Sequence, residues 1–151
     1  MHKGISAMVV IVIGLLAITG CGGGSSSISK AEYTQQAELI CNEGLKEREE
    51  FFKEVSAEYE KRNRNASAKE QAEEQARNVR GLMAVYDGTT EELADLDTPE
   101  QGAKMAEELV KARETSSREL KADTQKMSEF LELFAPATKA AEGLGIPSCG
   151  K

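Results

Sequence analysis

Apolar and small residues recur every three or four positions through most of this chain, and nowhere do they alternate as a strand would require. That spacing lines one face of a 3.6-residue helix, so the chain buries apolar surface by packing helix against helix. The first stretch opens at Ser29-Lys30-Ala31-Glu32. This is a capping box, in which the serine side chain satisfies one orphan N–H and the glutamate another. Tyr33, Ala37, Ile40, Gly44, Phe51, Val55 and Tyr59 follow as its seam. A helix is predicted to about Arg62, where Lys61, Arg62 and Arg64 offset the unpaired carbonyls. Asn63 to Ala66 reads as a turn, and Ser67 with Glu70 forms a second box. Ala72, Ala76, Val79, Met83, Tyr86 and Leu93 make the second seam, which is expected to end near Leu96. A kink is expected at Asp87-Gly88, because glycine weakens a helix interior. Thr98-Pro99-Glu100-Gln101 then reads as the start of a third helix. Threonine caps, proline takes the first position where no N–H is needed, and glutamine completes the box. Met105, Leu109 and Ala112 face inward from it.

Ahead of the helices stands a different kind of segment. His2 and Lys3 begin it, Met8 to Ile18 is an apolar run, and Ile18-Thr19-Gly20-Cys21 closes it. The run is too short to span a bilayer comfortably. The arrangement resembles the signal peptide and lipobox of bacterial lipoproteins. The resemblance implies removal of residues 1–20, acyl chains on Cys21, and membrane contact through that lipid. Residues 21–28 are then the lipidated cysteine and a Gly/Ser tether, and residues 29–151 one helical bundle domain. As a random coil the tether reaches only about 13 Å. The expected address is the cell envelope, on the outer face of the cytoplasmic membrane, or the outer membrane where the organism has one. Processing removes the one histidine and Lys3, so the formal charge moves from −7 to −8. That acidity argues against nucleic acid and against adsorption to anionic headgroups, which both require basic patches.

With Cys21 taken by lipid, Cys41 and Cys149 remain. Outside the cytoplasm such a pair reads as a disulfide. The alternative, free or metal-binding thiols, lacks histidine and any Cys-x-x-Cys. The disulfide bears on the chain beyond Ala112, where the periodicity continues to Met127, Phe130 and Phe134 through a polar middle of Ser116, Glu119 and Asp123. Ser116-Ser117-Arg118-Glu119 has the form of a cap for a fourth helix. Cys41 lies about three turns into the first helix, and a fourth helix of an antiparallel up-down-up-down bundle returns Cys149 to that end. The expected fold is therefore an all-α four-helix bundle. The alternative is three long helices with a short C-terminal one. Pro136 bends or restarts the last helix, and Gly143-Leu144-Gly145 stops it.

The two ends carry a second likeness. Ser29-Lys30-Ala31-Glu32-Tyr33 followed by Ala37-Glu38-Leu39-Ile40-Cys41, the Leu96-Asp97-Thr98-Pro99 segment, and Leu144-Gly145-Ile146-Pro147-Ser148-Cys149 together resemble small secreted or lipid-anchored helical proteins of actinobacteria. Those proteins carry no assigned activity, so the resemblance supports a helical fold and the disulfide and adds no function.

Catalytic chemistry is thinly supplied. Without histidine the processed chain has no Ser-His or Cys-His dyad and no imidazole ligand. Ser148 stands beside Cys149 without a base, and Gly22 to Gly24 belong to the tether rather than to a phosphate loop. Asn65-Ala66-Ser67 matches a glycosylation sequon by chance in a chain with a bacterial signal. One acidic constellation stands out: Glu43, Glu47, Glu50, Glu54 and Glu58 make a helical stripe. It is a candidate face for a hard cation or a basic partner. The bland reading is a solvated face with cross-helix pairs to Arg77, Arg80, Lys104 or Lys111. Pairs such as Glu49/Lys53, Glu73/Arg77, Glu107/Lys111 and Glu114/Arg118 support the helices themselves. Glu91, Glu92, Asp95 and Asp97 solubilise the end of the second helix. Phe52, about 100° round the helix from Phe51, and Phe130, in the dense Phe130-Leu131-Leu133-Phe134 run, are candidates for a contact patch, with core packing as the bland alternative. The sequence thus predicts a non-enzymatic, lipid-anchored interaction or accessory module with no cofactor or metal and an envelope protein as candidate partner. The competing class is an extracytoplasmic carrier or sensor of a small apolar ligand or hard cation.

Overall fold

The computed structural model describes residues 27–62 and 66–151. The signal segment, Cys21, the tether as far as Ser26 and most of the turn after Arg62 lie outside the described residues. The rest is an all-α bundle of four helices: α1 (Lys30–Arg62), α2 (Ala68–Ala94), α3 (Ala103–Ala122) and α4 (Phe130–Leu144). Two 3₁₀ segments, Thr124–Glu129 and Pro147–Gly150, and two short strands, β1 (Ser27–Ile28) and β2 (Thr98–Pro99), complete it. No helix among the described residues is long and apolar enough to cross a membrane.

The caps explain where two helices begin. Ser29 Oγ accepts the Glu32 N–H at 3.2 Å. At α2 both halves of the box form, with Ser67 Oγ accepting the Glu70 N–H at 3.4 Å and Glu70 accepting the Ser67 N–H at 2.8 Å. The α3 start departs from expectation. Thr98 and Pro99 do not open the helix but pair in parallel with Ser27 and Ile28, and the Glu100 N–H donates to the Ile28 carbonyl at 2.8 Å. Gly102, at φ 95°, is the residue from which α3 departs. This pairing also overturns the expectation that no strand occurs. Partners 71 residues apart in sequence leave no local pattern to read.

Ser116 and Ser117 do not start a fourth helix either; both are buried inside α3. Ser116 Oγ lies 2.6 Å from the Leu133 carbonyl across the α3–α4 interface. That carbonyl sits in the turn before Pro136, whose missing N–H loosens the helical ladder. Ser117 donates to Asp87 at 2.6 Å, and Lys121 pairs with the same carboxylate at 2.6 Å. Asp87 is thereby tied to α3, and α2 runs on through Gly88 without a break. The chain leaves α3 at Asp123, whose side chain caps the 3₁₀ turn through the Gln125 N–H. Pro136 lies within α4. At its end Gly145, at φ 82°, donates to the Glu142 carbonyl and Ile146 to the Ala141 carbonyl. Those two bonds form a Schellman cap that closes on two fully buried residues, Ala141 and Ile146.

Packing follows the predicted seams over the lower part of the bundle. Tyr33, Ala37, Met83, Leu93, Leu109, Leu120, Ala141 and Leu144 are all at most 2% exposed. Close approach sets the α1–α2 crossing. Gly44 lies against Thr89, where any Cβ would press on the threonine side chain, and Gly81 lies against the Phe51 ring. Higher up the seams lose their cover. At about 1.5 Å per residue α1 runs some 50 Å, whereas α3 and α4 run about 30 and 22 Å. Tyr59 and Ala72, both expected inside, are therefore exposed, and from Phe52 to Tyr59 only Val55 is even half-buried. Tyr59 near the far end of α1 lies beside the first turns of α2, and those turns also border Thr124 and Gln125 of the 3₁₀ segment.

Candidate functional site

The densest chemistry surrounds Tyr86 on α2, which is 2% exposed. Phe134 packs on it at 5.0 Å and Phe130 at 5.8 Å between ring centroids, and the two phenylalanines stack at 4.5 Å. Two guanidinium groups lie over the tyrosine ring, Arg48 at 4.5 Å and Arg113 at 5.1 Å from its centroid. Arg48 also contacts the Tyr86 hydroxyl and donates to the Lys151 carbonyl at 2.9 Å, an oxygen that Tyr86 itself reaches at 2.9 Å. Arg113, 4% exposed, donates to Thr90 Oγ1 at 2.9 Å and to the Cys149 carbonyl at 2.9 Å. Burial pulls its guanidinium down to about 10, against favourable interactions with Tyr86 and Asp87. Burial raises the Tyr86 phenol, with Arg48 and Arg113 opposing.

These arginines clamp the C-terminal turn where it meets α1. The Cys41 and Cys149 sulfurs are joined, with Cα atoms 5.0 Å apart, closing a separation of 108 residues. Ser148 donates to Glu38 at 2.5 Å and Thr138 to the Gly150 carbonyl at 2.7 Å. Ser148 is thus part of a structural closure. Neither Arg48 nor Arg113 was apparent as a functional residue in the sequence, although Arg113 left a signal. It falls on the seam of Ala106, Leu109, Ser116 and Leu120, where a charged residue must find buried partners.

The other sequence candidates are spread out. Glu43, Glu47, Glu50, Glu54 and Glu58 are all exposed along α1. Among the described residues no ion pair joins Glu43, Glu47, Glu50 or Glu54 to Arg77, Arg80, Lys104 or Lys111. Pairs that do form include Lys69–Glu73, Lys104–Glu108, Lys121–Asp87 and Lys126–Glu119. Nor is any group of three or more acidic, histidine or cysteine residues among the described residues placed to hold a metal ion. Phe52 is 49% exposed and meets the Phe51 ring edge-on at 6.0 Å. Phe130 is half-buried in the Tyr86 cluster, and the next residue, Leu131, is 83% exposed. Cys21 lies outside the described residues.

Two grooves border α3. One, of about 700 Å³, is walled by Tyr33, Leu93, Leu96, Thr98, Pro99, Val110 and the first turn of α3. The other, of about 680 Å³, lies between α3 and α4 over Met105, Ala112, Leu133 and Pro136. Sequence reasoning found neither, because both depend on how far apart helix ends are held. No protein-family model, no curated protein and no solved structure matches this chain.

Proposed function

We propose that this protein is a lipid-anchored module of the cell envelope that acts through contact with an envelope protein rather than through catalysis. On this reading Cys21 carries the anchor on the outer face of the cytoplasmic membrane, or on the outer membrane of a two-membrane cell. The observation that carries the contact reading is the placement of exposed apolar side chains about one ring cluster. Phe52 sits one turn beyond Arg48 on α1, and Leu131 follows Phe130 on α4. Arg48 and Phe130 both meet Tyr86. Two large apolar groups, 49% and 83% exposed, thus flank a rigid, disulfide-backed scaffold. A partner that covered such groups would gain the apolar surface they expose.

The test is site-specific photocrosslinking in living cells, with a benzoylphenylalanine at position 52 or 131 and controls at Glu43 and Glu54. A discrete adduct from 52 and 131, missing from the controls and lost on Phe52→Ser or Leu131→Ser in the opposite position, is expected. Equal labelling from all four positions refutes the contact face. The mass of the Cys21 peptide checks the anchor separately, and an unmodified cysteine refutes it.

A further inference from the structure

The chain arrives from Cys21 at the wall of the groove beside Thr98. Ser27 and Ile28 pair in parallel with Thr98 and Pro99, and both of those partners line the groove. The Ile28 carbonyl accepts the Glu100 N–H at 2.8 Å, and the Ile28 side chain packs against the core. Backbone and side chain thus hold this stretch to the groove wall. Ser27 lies six residues after Cys21. Six extended residues span at most about 22 Å, and the step across the strand pair adds about 5 Å. Whatever Cys21 carries is therefore leashed within a short reach of this groove. The lining suits hydrocarbon: Leu93, Pro99 and Ala106 are buried in it, and Leu96 and Val110 are half-buried. Its charged rim, Lys104, Glu107, Lys111 and Glu114, is balanced in sign and selects neither an anion nor a cation. A volume of about 700 Å³ lies within the range of small-molecule sites.

Resting on the lipid-anchor reading above, we propose that this groove holds one acyl chain of Cys21, laid along Leu96, Pro99 and Val110, while the other acyl chains stay in the bilayer. An acyl chain is uncharged, so the balanced rim costs it nothing, and each methylene taken out of water favours the bound state. A short leash presents the chain at an effective concentration in the millimolar range, so modest affinity fills the groove. Two chains left in the bilayer still anchor the protein stably. The β1–β2 pair acquires a purpose on this reading: it fixes the lipidated end of the chain beside the cavity that receives its lipid. A bilayer offers the same hydrocarbon comparable burial, and the choice between the two is what the experiment reads.

Cells making the natural full chain are fed a fatty acid with a diazirine in mid-chain and irradiated, and the purified protein is digested with trypsin. The expected product links the acylated peptide 21–30 to peptide 81–104 or 105–111, which carry the groove wall. Val110→Trp, which fills the groove, should abolish that link. Ala103→Trp, at an exposed position of the same wall, should do so without loading the core. Leu133→Trp, in the groove between α3 and α4, should leave the link intact. The inference is overturned if the acyl chain on Cys21 links only to bilayer lipid, or if the link survives both groove-filling variants. It is overturned equally if the groove peptides carry a free fatty acid or phospholipid adduct without the Cys21 peptide. An acylated Cys21 with no link refutes this inference alone, whereas an unacylated Cys21 refutes the anchor reading with it.

Discussion

Replacing both Cys41 and Cys149 with alanine should cost far more than any single packing change, and the cost can be worked from the loop they close. Their separation is 108 residues. In the chain-entropy treatment a loop of that length removes about 16 cal/mol/K from the unfolded state, or about 4.8 kcal/mol at 25 °C. A domain of about 120 residues unfolds with an entropy near 0.26 kcal/mol/K, so the midpoint should fall by about 18 °C. Native contacts remain to hold the turn, because Arg113, Thr138 and Arg48 bind its carbonyls independently of the sulfurs. Circular dichroism should therefore report an unchanged helical signal at 20 °C with an earlier melt. The urea m-value should rise, since the uncrosslinked chain exposes more surface on unfolding. Cys149→Ala alone should match the double variant closely, because one substitution already opens the ring. A midpoint shift below about 5 °C with an unchanged m-value would refute the entropic reasoning.

Gly44→Ala should destabilise by about 1–3 kcal/mol through overpacking against Thr89, whose Cβ and Cγ2 lie 3.2 and 3.0 Å from the added methyl. Adding Thr89→Ala should recover most of that loss in urea titrations. Arg113→Met should cost about 2–4 kcal/mol, because the Cys149 carbonyl and Thr90 hydroxyl lose a buried charged partner. Amide exchange should accelerate first in the Pro147–Gly150 turn; uniform acceleration would argue against a local clamp. The α2 cap is pH-dependent. Glu70 is held below its usual value by the Ser67 hydroxyl and N–H, so its contribution is full above the unfolded value of 4.5. It is lost as pH falls through the lowered folded value. Exchange in the first turn of α2 should rise over that acid range, and Glu70→Gln should remove this component.

What could be read from the sequence was local. Ser67 and Glu70 stand three residues apart, and their box forms as the pattern implies. The Gly145 cap and the α1 end at Arg62 are set within a turn or two of the chain. Thr98-Pro99 misled because the same residues that suit a helix start also suit an extended pair, and the choice fell to Ser27 and Ile28 far away. Ser116 misled for a related reason: its hydroxyl answers a carbonyl beside Pro136 rather than the N–H groups of its own helix. The exposure of Tyr59 and Ala72 was hidden by length, since periodicity marks which face is apolar and not whether a neighbour extends far enough to cover it. The Tyr86 cluster depends on residues from α1, α2, α3, α4 and the last turn; Tyr86, Phe130 and Phe134 stood out as apolar positions, whereas the partners of Arg48 and Arg113 are set only by the fold.

The covalent ring closed by Cys41 and Cys149 also decides what a protease can do to this molecule. The turn between α1 and α2, the groove between α3 and α4, and the Asp123 break all lie inside it. A single cut at any of them opens the ring without dividing the molecule, so both pieces keep one mass and stay side by side. Residues preceding Cys41 belong to the first piece and the C-terminal turn to the second, with the sulfur bridge between them. A nicked chain would thus run intact on a non-reducing gel and fall into two fragments only once a thiol is added.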